Sequence, residues 1–157
     1  MPTATGVRDV PEPRRDVWQA LAVLSPYCAV CDVSYVVHGR QPGRQGVGTT
    51  FVCVPGSLDG GEPGDGALRG EIVEWQSRKV VATRLDLAAE TWTTRIELAD
   101  TPDGGTRVTM TLGFQQRGGS RVAARIQGRA RQRLVHRTLA AELEKVPAHI
   151  ALAAGPH

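Results

Sequence analysis

An α+β fold, a curved antiparallel sheet of about seven strands wrapped round one long C-terminal helix, is predicted by three observations. Apolar residues alternate with period two through most of the chain from Val33 to Phe114, as half-buried strands do. The turn Pro102-Asp103-Gly104-Gly105 separates the two clearest of these runs, which is a strong hairpin signal. After Gly118-Gly119 the period changes to about four and holds from Arg121 to Lys145. Those 25 residues make a helix of about 37 Å.

The elements follow in order. Thr5 to Val10 reads as a strand closed by Pro11 and Pro13, and Pro13 suits the first turn of a helix, where its missing N–H costs nothing. Val17, Leu21 and Leu24 then give the spacing of one helical face over Arg14 to Leu24. Ser25-Pro26 breaks that helix, and Tyr27 to Asp32 is expected to add a turn, so two short helices follow the first strand. Val33 to His38 and Val47 to Val54 are strands, the second rich in Thr, Val and Phe. Residues 55–66, with five glycines and Pro63, read as loop. Gly70 to Gln76 and Lys79 to Leu87 pair round Ser77-Arg78. Trp92 to Asp100 and Thr106 to Phe114 form the hairpin. In the last helix Val122, Ile126, Ala130 and Leu134 recur every four residues, and Val135, Leu139, Leu143 and Val146 continue a stripe expected to face the sheet. Pro147 is expected to end or kink it.

At 157 residues the chain fits one domain, residues 1–157 with a core over about 7–146. A domain of this size buries roughly 68–70% of its unfolded surface, enough for a core without staples. The apolar and charged fractions, 41% and 22%, are those of ordinary globular proteins. The first residues lack the basic and apolar regions of a signal peptide. No run approaches the roughly 18 apolar residues of a membrane span, so a cytoplasmic protein is expected. Three cysteines argue against a disulfide framework. The net charge of +3, from 17 Arg and 2 Lys against 16 acidic residues, is too small to imply nucleic acid.

The order strand, helix pair, six strands, long helix is the helix-grip arrangement, and four local motifs agree with it. Pro13-Arg14-Arg15-Asp16-Val17-Trp18 resembles the Pro-x-x-x-Val-Trp start of the first helix in the START-like, Bet v 1-like (SRPBCC) superfamily. Gly46-Val47-Gly48-Thr49 resembles the opening of its third strand. Gly70 to Glu74 with Arg78-Lys79-Val80 resembles its fourth and fifth strands, and Gly104 to Thr109 the Gly-Gly-Thr-x-Val of its seventh. The chain is most similar to the polyketide cyclase/dehydrase and lipid-transport group, which holds binders, transporters and a few enzymes. The name therefore constrains fold more than activity.

That resemblance implies a cavity between the concave sheet and the long helix. Tyr35, Phe51, Trp75, Trp92, Ile96, Met110, Leu112, Ile126 and Leu134 would line it, with Thr94 and an inward Arg84 as polar groups. Apolar walls with few polar groups suit a hydrophobic lipid, polyketide or aromatic ligand. The alternative is that these side chains simply pack as core, with Arg84 exposed. The Gly-rich loop from Gly56 resembles a gate over the cavity mouth, or is a plain hairpin connection.

Other motifs are weaker. Cys28-Ala29-Val30-Cys31 supplies two of the four ligands zinc normally takes. Cys53 and His38 would have to complete a set that the spacing does not demand, so neither metal nor cofactor is expected. Arg117, Arg121, Arg125, Arg129, Arg133 and Arg137 form a row on the last helix, expected to be a solvated face rather than a site for RNA or another acidic partner. No nucleophile elbow or zinc-protease motif is present. Glu71, Glu74 and Asp86 are open acid–base candidates and the catalytic residues are unknown. Binding a hydrophobic small molecule is the expected function, with a cyclase-type enzyme in the same cavity as the alternative, on a monomer or homodimer.

Overall fold

In a computed structural model, which describes residues 2–24, 27–38, 45–57, 67–118 and 121–155, every described strand joins one sheet. The elements are β1 (Thr3–Val10), α1 (Arg14–Leu21), β2 (Tyr27–Cys28), β3 (Val33–His38), β4 (Thr50–Pro55), β5 (Leu68–Gln76), β6 (Val80–Asp86), β7 (Glu90–Asp100), β8 (Thr106–Gln116) and α2 (Arg121–Ala154). The sheet is antiparallel throughout in the order β1-β8-β7-β6-β5-β4-β3-β2. The chain thus starts at one edge, crosses by α1 to the other, and winds back strand by strand.

Eight strands form where about seven are expected, because the segment after α1 is not helical. Tyr27 and Cys28 pair with Ser34 and Val33 as a short hairpin instead. Its turn is closed by Asp32 at φ 52°, a left-handed conformation that Asp tolerates better than most residues. The Tyr27 hydroxyl donates to Asp32 Oδ1 at 2.6 Å, and Gly56 N–H donates to the Asp32 carbonyl at 2.7 Å. Among the described residues one short helix therefore follows β1, not two. It begins after Pro13, whose carbonyl accepts from the Asp16 and Val17 N–H groups.

The β7–β8 hairpin has the expected register, from Trp92 opposite Phe114 to Asp100 opposite Thr106, with Gly104 at φ 85° in its turn. In β5 a bulge falls between Ile72 and Glu74. The extra residue, Val73, reverses the alternation, so both Ile72 and Trp75 face the concave side with their partners Thr83 and Val81.

Helix α2 runs 34 residues and does not stop at Pro147. A proline inside a helix leaves the carbonyl four residues earlier without its usual donor. That carbonyl belongs to Leu143, and Arg8 Nη1 of β1 donates to it at 3.2 Å. Gly6 lets the two elements approach, since a Cβ there would lie 2.5 Å from Leu143 Cδ1 and displace that side chain.

The buried stripe of α2 is Val135, Leu139, Val146 and Ile150, packed with Val17, Trp18, Val108 and Leu112. Ile126 is 77% and Leu134 44% exposed, so neither is buried against the sheet. The six arginines of the row are all exposed, while Arg131 lies 5.6 Å over the Phe114 ring. Exposed substitutions of this kind move stability little. The double variant Arg125→Glu/Arg129→Glu should stay within about 0.5 kcal/mol of the parent in urea denaturation. A larger loss would mean that the row contacts the fold.

Candidate functional site

The concave face of the sheet, α1 and the C-terminal half of α2 enclose a cavity of about 610 Å³. Its sheet wall is mainly apolar because alternate residues of the strands from β3 to β8 point inward. Phe51 comes from β4, Ile72 from β5, Val81 and Leu85 from β6, Trp92 and Ile96 from β7, and Met110 and Leu112 from β8. Two edge-to-face ring pairs stiffen this wall: Tyr35 with Phe51 at 5.9 Å and Trp92 with Phe114 at 5.0 Å between centroids. Gly70 makes room for Phe51, since a Cβ there would fall 2.2 Å from the ring.

The helix wall is polar. Thr138, Glu142, Lys145 and His149 follow one another at spacings of four, three and four, and so share one face of α2. Lys145 Nζ pairs with Glu142 Oε1 at 3.3 Å, with both side chains part-exposed. At this end stand Cys28 and Cys31. Cys28 Sγ lies 3.7 Å from His149 Nδ1, and Cys31 Sγ 3.7 Å from His149 Nε2. Burial pushes the Cys31 thiol up to about 11 and draws the His149 imidazole below its ordinary value, with the Glu142 carboxylate opposing the second shift. Burial also raises the Cys53 thiol and the Tyr35 phenol. The uncharged forms of these groups are thus favoured in the cavity.

Seven of the eleven residues expected on the cavity wall stand there: Tyr35, Phe51, Trp92, Thr94, Ile96, Met110 and Leu112. Four do not. Trp75 faces the concave side but packs edge-to-face on Trp18 of α1, at 5.0 Å. Arg84 faces the other way, because Val81, Thr83 and Leu85 are the inward residues of β6. It pairs there with Glu71 at 2.9 Å and Asp86 at 3.4 Å. Ile126 and Leu134 are exposed and do not line the cavity, although Leu134 precedes Thr138 by four residues on α2.

None of the three acids left open lines the cavity. Glu71 and Asp86 serve Arg84, and Glu74 accepts from Arg95 Nε at 2.8 Å. The inward acid is Glu142. The third partner of the Cys pair is His149, rather than Cys53 or His38. Beyond Gly56 and Ser57 the segment expected to gate the cavity lies outside the described residues, up to residue 66.

No described helix is long and apolar enough to cross a membrane. No family model matches the sequence, and no curated protein matches it. Solved structures do match across nearly the full length. TTHA0849 from Thermus thermophilus aligns with a TM-score of 0.64 and 18% identity, over 99% of this chain and 100% of that one. Ara h 8.0201 aligns at 0.63 and 12% identity, over 98% of both chains. A START superfamily protein from Mycobacterium smegmatis aligns at 0.61 and 10% identity, over 97% of this chain and 93% of that one. With a bent antiparallel sheet closed by a long C-terminal helix, the chain carries the START/Bet v 1-like helix-grip fold.

Proposed function

We propose that the protein binds a hydrophobic small molecule, of lipid, polyketide or aromatic type, inside this cavity. The observation that carries the reading is the chamber of about 610 Å³ with an apolar sheet wall. That volume lies in the range of about 300–1,000 Å³ typical of small-molecule sites. The polar groups gather at one end of α2, as they would to hold the single polar end of an otherwise apolar molecule. The family resemblance in the sequence points the same way. We place this binding in a cytoplasmic single-domain protein, monomeric or dimeric, that does not use nucleic acid as its partner.

Native mass spectrometry of the purified chain, followed by mass spectrometry of an organic extract, tests the reading. One apolar compound released per chain on denaturation is expected. A chain that emerges empty and then binds neither hydrophobic dyes nor fluorescent fatty acids would sink it.

A cyclase-type enzyme in the same cavity is the second reading, and one observation favours it: His149 and Glu142 stand in the cavity wall. It requires that a bound polyketone be returned with the mass of one water fewer, which the same extract would reveal.

A further inference from the structure

Cys28, Cys31 and His149 come from opposite ends of the chain, yet their ligand atoms all lie within 4.8 Å of one another. We propose that they form a binding site for a thiophilic divalent cation of the zinc class, with the fourth coordination position open to the cavity.

Geometry supports this first. With zinc–sulfur bonds of about 2.3 Å and zinc–nitrogen bonds of about 2.0 Å, the sulfur–nitrogen edge of a tetrahedron is about 3.5 Å. Each sulfur lies 3.7 Å from a different ring nitrogen, and one ligand atom from each residue lies within 4.8 Å of the others, so the imidazole must turn to bring one nitrogen onto an ion held by both sulfurs. The turn that presents the two thiols is built for its shape. Asp32 holds a left-handed conformation directly after Cys31, fixed by the Tyr27 hydroxyl on its carboxylate and by Gly56 N–H on its carbonyl. Cys28 is buried, and Cys31 and His149 are half-buried, so the ligands are already gathered and largely dehydrated.

Charge supports it second. The imidazole binds a metal in its neutral form. Each thiol gives up its proton as its sulfur bonds the ion, so one dication replaces two protons and the centre stays neutral. A neutral centre is the kind an apolar chamber tolerates. Simple packing of two small side chains would not need an imidazole between them. All three ligands line the cavity, so the remaining position falls to water on the cavity side. A cation there gives an apolar chamber one Lewis-acidic point. The site does not depend on what the cavity binds.

The probe is cobalt(II), titrated into the full-length reduced chain under a non-thiol reductant and then displaced with zinc. Thiolate-to-metal charge-transfer and tetrahedral d–d bands saturating at one equivalent per chain are expected. Cys28→Ser, Cys31→Ser and His149→Ala should each weaken cobalt binding at least tenfold, and Cys53→Ser should bind like the parent. Circular dichroism checks that each variant is folded. Should one unfold, the parent spectrum still decides. Absence of thiolate–cobalt bands in the reduced parent, parental cobalt affinity in folded His149→Ala, or loss of the bands in Cys53→Ser would overturn the site.

Discussion

Replacing Val135 by aspartate is expected to cost about 4 kcal/mol of stability, while the same change at Ile126 should move stability by no more than about 0.5 kcal/mol. Both residues lie on α2 and both are branched aliphatics, so the contrast isolates position. Val135 is 0% exposed and packs in the core between sheet and helices. Its removal from that core forfeits about 2 kcal/mol of apolar burial. The carboxyl that replaces it must be buried without a partner, which adds about 1–3 kcal/mol even when it takes up a proton. The sum, about 4 kcal/mol, is close to the whole stability of a marginal domain. Ile126 loses no burial of comparable size and gains a carboxylate among arginines. Urea titration of both variants, followed by circular dichroism, measures the contrast. Equal losses would show that the two residues share an environment and that α2 is rotated from the orientation described.

The second large effect concerns the cavity itself. Thr94→Trp is expected to lower the affinity for a fluorescent fatty acid at least tenfold, about 1.4 kcal/mol, with the fold retained. Thr94 sits in mid-sheet between Thr83 and Leu112, and all three line the chamber. An indole there occupies free space, so it avoids the strain that extra volume causes in a close-packed core. The same replacement at the fully buried Val108 should be destabilising for that reason. A Thr94→Trp protein that is folded and binds with parental affinity would place the fatty acid elsewhere.

What is legible in the sequence follows from the range of each interaction. The β7–β8 hairpin is local, and its alternation and turn chemistry agree, so its register is predictable residue by residue. Over the first half of α2 the pattern misleads. A strict four-residue repeat advances about 400° per step, so Val122, Ile126, Ala130 and Leu134 wind about 120° round the helix instead of forming a straight stripe. Leu134 and Val135 are about 100° apart, so the repeat that ends at Leu134 does not run straight on into the buried row that starts at Val135. The buried row Val135, Leu139, Val146, Ile150 mixes steps of four and seven, which does keep to one side.

Arg84 is ambiguous because Val80, Val81 and Ala82 are all buried, and an unbroken apolar run carries no parity. Only pairing with β5 and β7 decides it. The Cys–His cluster joins residues 118 and 121 positions apart, which no local pattern encodes. Half of it has a signal nonetheless. Thr138, Glu142, Lys145 and His149 make a polar stripe beside the apolar one, as a helix does when one of its faces lines a chamber.

The edge position of β1 has a consequence for when the chamber exists. Thr3 pairs with Gly113, so the first strand finds its partner only after 110 further residues have been made. At about 5–20 residues per second, the first strand waits several seconds on the ribosome with its hydrogen-bonding edge unpaired. Such long-range closure is slow, because loop entropy is lost before contacts repay it. Helix α2 comes later still and brings the polar wall with it. The chamber is therefore assembled only once β8 and α2 have been made, and a nascent chain stalled before β8 would expose its apolar wall as an open, aggregation-prone surface.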